Sequence, residues 1–366
     1  MTDVRATLLT NIPTPYRAAL YGRLHRTLEV GGGRFAVIYG AKHQPERQWN
    51  DPQPPTGDAP FVVARHAQLR LRGRITYANP AVARTVARTR PEVVVISGFA
   101  PWTYSVASWC LATRTPFVVW SGETMASEEH LCGRRRVRRL PLLRGARRLL
   151  AYGPAAREYL LSTGVADDRI TVLGNGIDID AYAACVDPLR PQREQMRARF
   201  GLTGPTILSV GGKNLDATLQ AADRLPHPTQ VLVVGAEPPD PHHPRVVTLG
   251  RRPSQEMPGI YAMSDCLAHL PVADRWPHAI NEALAAGLPV VASPTTGVPD
   301  EVLTGPGCSR VPVRVSVIAS AIEEALSVGA PTDARVRERI TTPLRDWGVD
   351  RMAQRFVSTL REARGS

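Results

Sequence analysis

The stretch Asp274-Arg-Trp-Pro-His-Ala-Ile-Asn-Glu282-Ala-Leu-Ala-Ala-Gly287-Leu-Pro-Val-Val-Ala292 decides the reading of this chain. It sets two carboxylates, Asp274 and Glu282, around a helix start and runs on into an apolar strand. Pro277 suits the first turn of a helix, where its missing N–H costs nothing. His278, Ala279 and Ile280 then present backbone N–H groups at the positive end of the helix dipole, a natural seat for phosphate. Residues 279–286 are good helix formers, and Gly287 fits the C-terminal cap. Val290-Val-Ala292 reads as a buried strand of an α/β sheet. A phosphate seat with carboxylates on either side has the chemistry of a sugar-nucleotide site.

Outward from this stretch the same alternation of apolar runs and helical patterns repeats. Candidate strands are 6–9, 34–39, 93–96, 117–120, 149–152 and 171–173, then 206–210, 230–234, 246–249, 266–269 and 290–292. Such alternation predicts parallel sheets covered on both faces, and two series predict two doubly wound Rossmann-like domains. The pattern breaks at Val186-Asp-Pro-Leu-Arg-Pro191, which puts a boundary between residues 186 and 187. Residues 350–366 read as an amphipathic helix, with Met352, Phe356, Val357 and Leu360 on or near one face, that crosses back to the first domain. The proline-rich segments 45–60 and 238–244 read as loops, and Gly31-Gly-Gly33 as a connector.

A chain of 366 residues holds two full cores. It carries 45 basic and 33 acidic residues, a formal charge of +12, and only Lys42 and Lys213 are lysines. Arginine bias of a GC-rich genome accounts for this; attraction to phosphorylated ligands or an anionic membrane is the functional account. Basic residues are not interleaved with aromatics, which argues against nucleic acid. The five cysteines are widely spaced without a CxxC, so neither a disulfide framework nor a zinc site is expected, and a reducing cytosol fits. No signal peptide and no apolar run of membrane-spanning length are legible.

Lys213 follows the strand 206–210 in Gly211-Gly212-Lys213-Asn214. The glycines let backbone approach a ligand, and the rare lysine there can neutralise a diphosphate. Glu282, one turn into its helix, can accept from ribose hydroxyls. Glu123, after the strand 117–120, can act as a base, hold a sugar hydroxyl, or be an ordinary loop carboxylate. Tyr16 and Arg17, in Asn11-Ile-Pro-Thr-Pro-Tyr-Arg17, can reach a binding cleft or merely join strand to helix. Asn175-Gly-Ile-Asp178 is by itself a turn signal. Arg134 to Arg148 form a basic run with Val137, Leu140, Leu142 and Leu143 interspersed. It suits either a solvated helix face or an anionic membrane surface.

Together these motifs resemble the retaining glycosyltransferases of family 4, which have the GT-B fold. Ala151-Tyr-Gly-Pro-Ala-Ala-Arg-Glu-Tyr159, Gly164-Val and Asn175-Gly-Ile-Asp178 are similar to that family's domain-end signature. Lys213-Asn-Leu215 looks like its diphosphate lysine, and Val234-Gly235 and Leu249-Gly-Arg251 like the strands that flank the nucleoside. Asp274 and Glu282 correspond to its two spaced glutamates. The chain departs from the pattern in carrying Asp274 rather than glutamate, in lacking the arginine that shares the diphosphate, and in lacking a clear catalytic-region histidine.

The resemblance implies two domains facing across a cleft and a metal-independent hexosyl or N-acetylhexosaminyl transfer with retention. It also implies no cofactor beyond a nucleotide diphosphate-sugar co-substrate, with UDP favoured. Lys213, Asp274 and Glu123 are the candidate catalytic residues. Gly211, Gly212, Arg251, Trp276, Pro277, His278, Ala279, Ile280 and Glu282 are expected at the donor, and Tyr16 and Arg17 at the acceptor. A small-molecule acceptor, such as an antibiotic or aminocyclitol precursor, in the cytoplasm is the leading expectation. A lipid-linked glycan at the inner membrane surface, approached through Arg134–Arg148, and a non-catalytic GT-B partner protein are the alternatives.

Overall fold

In the computed structural model the described residues are 3–42, 58–71, 74–129, 133–238, 240, 242–329 and 332–365. They fall into two units: Met1–Asn175 with Val349–Ser366, and Gly176–Gly348. The first unit holds β1 (Arg5–Thr10), β2 (Arg34–Tyr39), β3 (Phe61–Val63), β4 (Ala67–Leu71), β5 (Arg74–Ala78), β6 (Val93–Ser97), β7 (Phe117–Ser121), β8 (Arg148–Ala151) and β9 (Ile170–Val172). Seven of these make one parallel sheet, in the order β3-β2-β1-β6-β7-β8-β9. β4 and β5 form a separate antiparallel hairpin.

The near-continuous apolar runs have a direct structural cause. In β6, Val93 and Val95 enter one core while Val94 and Ile96 enter another. Both faces of the sheet are covered, so neither parity of the strand is left polar. The helix Val349–Gly365 supplies Met352, Phe356, Val357 and Leu360 to the first of these cores. There Phe356 meets Trp120 edge-on at 5.6 Å and Phe35 at 6.5 Å. Arg23 to Asp350 at 2.9 Å and Arg361 to Asp3 at 2.6 Å tie the helix ends to the same unit.

The second unit holds β10 (Thr206–Val210), β11 (Gln230–Val234), β12 (Val246–Gly250), β13 (Cys266–His269), β14 (Val290–Ala292) and β15 (Ser309–Arg310). All pair in parallel, in the order β12-β11-β10-β13-β14-β15. Two arginines brace its entrance: half-buried Arg193 reaches Asp265 at 2.8 Å, and buried Arg197 donates to Met263 O at 2.8 Å and Thr206 Oγ1 at 3.1 Å.

The units part at Asn175–Gly176, ahead of the proline-marked boundary expected at 186–187. The helix Ile179–Val186 belongs with the second unit because Tyr182 packs edge-on against Tyr261, 6.1 Å away, within that unit. The prolines themselves lie in a 3₁₀ turn, Asp187–Gln192, that links two helices of the same unit. Strands β3, β4, β5 and β15 were not expected; they are short or polar and lack the apolar run that marks a buried parallel strand. Most of the expected loop 45–60 lies outside the described residues.

Candidate active site

In the second unit three strand ends carry the expected chemistry. β10 runs into Gly211 and Gly212, at φ 72° and 61°, then Lys213, then Asn214, also left-handed at φ 50°. A Cβ on Gly212 would come within 2.6 Å of Ala236 Cβ, so glycine is required both by conformation and by space. The turn leaves Lys213 exposed, and Asn214 donates its side-chain amide to Leu270 O after β13. Arg251, just beyond β12, is likewise exposed.

Past β13 the chain turns through Asp274, whose N–H reaches Thr295 O at 3.2 Å and whose carbonyl accepts from Gly297 N at 2.8 Å. A Cβ on Gly297 would come within 2.1 Å of Arg275 O, so this closure requires glycine. The Asp274 carboxylate is about a quarter exposed, and its Oδ2 lies 3.5 Å from Nε2 of His269, the last residue of β13. Burial alone would raise the carboxyl. His269, Lys213 and the Trp276 N–H together outweigh it and hold Asp274 below its ordinary value. At 3.5 Å the His269 contact is electrostatic, longer than a normal hydrogen bond.

Glu282 stands on the helix His278–Ala285, partly exposed along one edge. Tyr261 Oη donates to its Oε2 at 2.9 Å. Burial pushes the carboxyl up to about 7, against the lowering effect of that bond. The helix ends as the sequence predicts: Gly287 adopts φ 68°, and Leu288 N returns to Ala283 O at 2.8 Å.

Two expectations at the helix start are corrected. Pro277 is the N-cap rather than a first-turn residue, with extended backbone. Its carbonyl takes the Ile280 N–H at 3.2 Å, which removes that group from the donors expected there. Trp276 does not present its ring to a ligand. It is 3% exposed, donates Nε1 to Asn281 Oδ1 at 2.8 Å and packs against Trp347, with ring centroids 5.3 Å apart and planes tilted by 57°. Its contribution is to anchor the loop that carries Asp274. Ile280, fully buried, likewise faces the core.

In the first unit the loop after β1 leaves Tyr16 partly exposed but folds Arg17 inward. Arg17 lies 4.3 Å from the centroid of the Trp120 ring, with Tyr152 and Tyr16 beyond, and donates to Asn175 Oδ1 at 2.5 Å. It braces the loop instead of reaching out from it. Asn175, expected only as a turn residue, holds that arginine. Asp178 caps the next helix, accepting from Ala181 N at 3.1 Å.

Glu123 follows β7 and is mostly buried. Its Oε1 lies 3.8 Å from Arg139, and its Oε2 accepts from Ser127 Oγ at 3.2 Å. Arg139 also pairs with Glu128 at 2.7 Å and donates to Tyr159 Oη at 3.0 Å. Burial raises the Glu128 carboxyl; Arg139 opposes that and neighbouring Glu123 adds to it. Among the described residues of the basic run, Arg138, Arg144 and Arg147 are exposed while part of the run turns inward. Arg139, Leu142 and Leu143 of the helix Gly133–Gly145 are buried, and Val137 is exposed.

His269, Tyr261 and Glu128 were not singled out from the sequence, and Arg139 only as part of the basic run. His269 alone left a signal there, as a polar residue ending a buried parallel strand, where such sheets place their sites. Among the described residues no group of three or more His, Cys, Asp or Glu is arranged to hold a metal, and no helix is long and apolar enough to cross a membrane.

Two parallel-sheet units, with charged loops at the carboxyl ends of their strands, define the GT-B architecture. Comparison with known proteins agrees. The model described as Glycosyltransferase Family 4 matches residues 24–181, and that described as Glycosyl transferases group 1 matches residues 204–327. The chain is a glycosyltransferase of the GT-B fold, built from these two domains. No curated protein matches it. Among solved structures, Anabaena HepE in complex with UDP and glucose aligns with 98% of this chain and 99% of its own, at 18% identity and a TM-score of 0.71. A glycosyltransferase from Rickettsia africae aligns over 98% of both chains, at 14% identity and a TM-score of 0.72. Sucrose-phosphate synthase from Thermosynechococcus elongatus also covers 98% of both, at 14% identity and a TM-score of 0.68. At these identities the likeness establishes the fold.

Proposed function

We propose that this chain transfers a hexosyl or N-acetylhexosaminyl group from a UDP-sugar to a hydroxyl of a small-molecule acceptor, with retention and without a metal. One observation carries the reading: the loop at the end of β10 brings Lys213 close enough to Asp274 to help hold its carboxylate ionised, beside the helix that bears Glu282. A cation and a helix start stand where a diphosphate leaving group gathers charge, and the carboxylates stand where hydroxyls need acceptors. Asp274 holds donor-sugar hydroxyls; its shorter side chain is steadied by His269. Glu282 holds the ribose. Arg251 takes part of the diphosphate charge in place of the missing family arginine. Tyr16 faces the acceptor, and Glu123, held by Arg139 and Ser127, orients it rather than acting as a free base.

The UDP of the HepE complex supports the choice of nucleotide. So does the UDP-forming activity named for the trehalose-phosphate synthase of Burkholderia xenovorans, which aligns at 13% identity. An acceptor in a natural-product pathway in the cytoplasm is favoured over a lipid-linked glycan, because Leu142 and Leu143, which a bilayer-binding helix would expose, are buried.

The test is release of nucleoside diphosphate from UDP-, GDP- and dTDP-sugars by the full chain and by Lys213→Ala. The expected result is slow UDP release by the wild type and at least a hundredfold loss in the variant, the scale of removing one preorganised charge at a developing anion. Binding of no nucleotide at all would sink the reading and favour a non-catalytic partner protein.

A further inference from the structure

The first unit has a concave site away from the residues assigned to the proposed transfer reaction. It lies at the amino ends of β7 and β8, roughly 13 Å along the strands from the loop that bears Glu123. The cavity measures about 790 Å³, and its wall includes Arg114, Arg144, Arg147, Arg148, Arg169 and Arg364. Asp168 is the one carboxylate in that wall, so the lining carries six positive charges against one negative. Leu111, 60% exposed, and Pro116 add apolar surface.

The arginines divide by what they touch. Arg169 is structural, donating to the Arg144 carbonyl at 3.1 Å and to that of Ala146, so it closes the end of the helix Gly133–Gly145. Arg148 pairs with Glu362 at 3.1 Å. Arg114, Arg144 and Arg147 are exposed and have no carboxylate partner among the described residues. Some exposed arginines elsewhere do find one, such as Arg5 with Glu92, Arg26 with Asp58 and Arg345 with Asp180, whereas the scattered Arg34, Arg224 and Arg314 have none among the described residues. Arginine bias accounts for many arginines, but not for unpaired ones converging on a single hollow. Like charges gathered in a concave, low-dielectric wall repel one another and focus a field that attracts anions.

We infer that this basin is an anion-binding site for a soluble, multiply phosphorylated small molecule, distinct from the donor site. Guanidinium forks match phosphate oxygens in pairs, and the volume suits a ligand of nucleotide size. The apolar floor at Leu111 and Pro116 accommodates an uncharged portion of the same ligand. A phospholipid headgroup offers the same phosphate chemistry, but Leu142 and Leu143 of the adjoining helix are buried, which leaves Val137 and Leu111 as the exposed apolar groups and no continuous apolar face to enter a bilayer.

The experiment keeps this site separate from the donor site by using the full chain with Lys213→Ala as parent. Inorganic tripolyphosphate is titrated calorimetrically into the parent, into the parent with Arg144→Ala and Arg147→Ala, and into the parent with Arg224→Ala and Arg314→Ala. The last variant loses the same charge from exposed positions of the other unit. The expected result is saturable one-to-one binding by parent and control, weakened at least tenfold in the Arg144/Arg147 variant, with UDP binding of an otherwise wild-type Arg144/Arg147 variant unchanged. Equal affinity in test and parent, or equal loss in the control, overturns the inference. Cosedimentation with phosphatidylglycerol vesicles is the second arm. Vesicle binding lost only in the Arg144/Arg147 variant, with no saturable tripolyphosphate binding in any, overturns the soluble ligand in favour of a lipid surface.

Discussion

Glu282→Gln is the sharpest test of the electrostatics of the second unit. The wild-type carboxyl is pushed by burial from an ordinary 4.5 to about 7. Between those values the folded protein keeps a proton that the unfolded chain releases. Stability is therefore fully present below about pH 4.5, falls as pH rises, and levels off above about 7. At about 1.4 kcal/mol per tenfold change in proton affinity, the whole loss is about 3 kcal/mol. One edge of Glu282 is partly exposed, so this is an upper figure. Glutamine keeps an oxygen for the Tyr261 hydroxyl but cannot ionise. The stability of Glu282→Gln relative to wild type should be near zero at pH 4, reach about 1 kcal/mol by pH 5 and grow to a plateau of up to about 3 kcal/mol by pH 8. The two units need not unfold together, so a single melting curve is a poor readout. Hydrogen exchange of peptides spanning residues 261–292, comparing the two proteins at each pH, reads this unit alone. A difference that stays constant from pH 5 to 8 would mean that Glu282 titrates as an ordinary carboxylate, and the reasoning from its burial would fail. The same ionisation bears on donor binding: wild-type affinity for UDP should rise through pH 7, while that of the glutamine variant should stay flat.

Other outcomes follow from neighbouring contacts. His269→Leu removes the group that, with Lys213, holds the Asp274 carboxyl down against burial. A depressed carboxyl keeps its favourable charge until pH falls through its folded value, so the variant should lose turnover at a higher pH on the acid side; an unmoved acid limb would remove His269 from the site. Asp265→Ala removes the carboxylate shared by Arg193 and Arg197 and leaves their charges to backbone and hydroxyl acceptors alone, and should cost about 3–5 kcal/mol in the second unit, as measured by hydrogen exchange of β10. A loss below about 1 kcal/mol would show that backbone carbonyls alone satisfy those arginines.

The alternation of apolar runs with helices, the positions of the main strands along the chain, the helix after Pro277 and the glycine that ends it are all legible in the sequence. Each rests on local physics: side-chain period, capping and the conformational freedom of glycine. The spacing of Lys213, Asp274 and Glu282 along strand ends is legible for the same reason, because parallel sheets place those ends on one edge. Which side chains meet is a different matter. His269 against Asp274, Tyr261 against Glu282, Arg17 folded back over Trp120, and Arg139 between Glu123 and Glu128 join residues from separate elements. Trp276 and Ile280 sit in the decisive stretch yet face the core. The boundary at Asn175–Gly176 and the arginine basin likewise depend on how distant segments pack. Local pattern sets which elements form and where their ends fall; the burial, pairing and protonation of each side chain depend on neighbours brought together only by the tertiary fold.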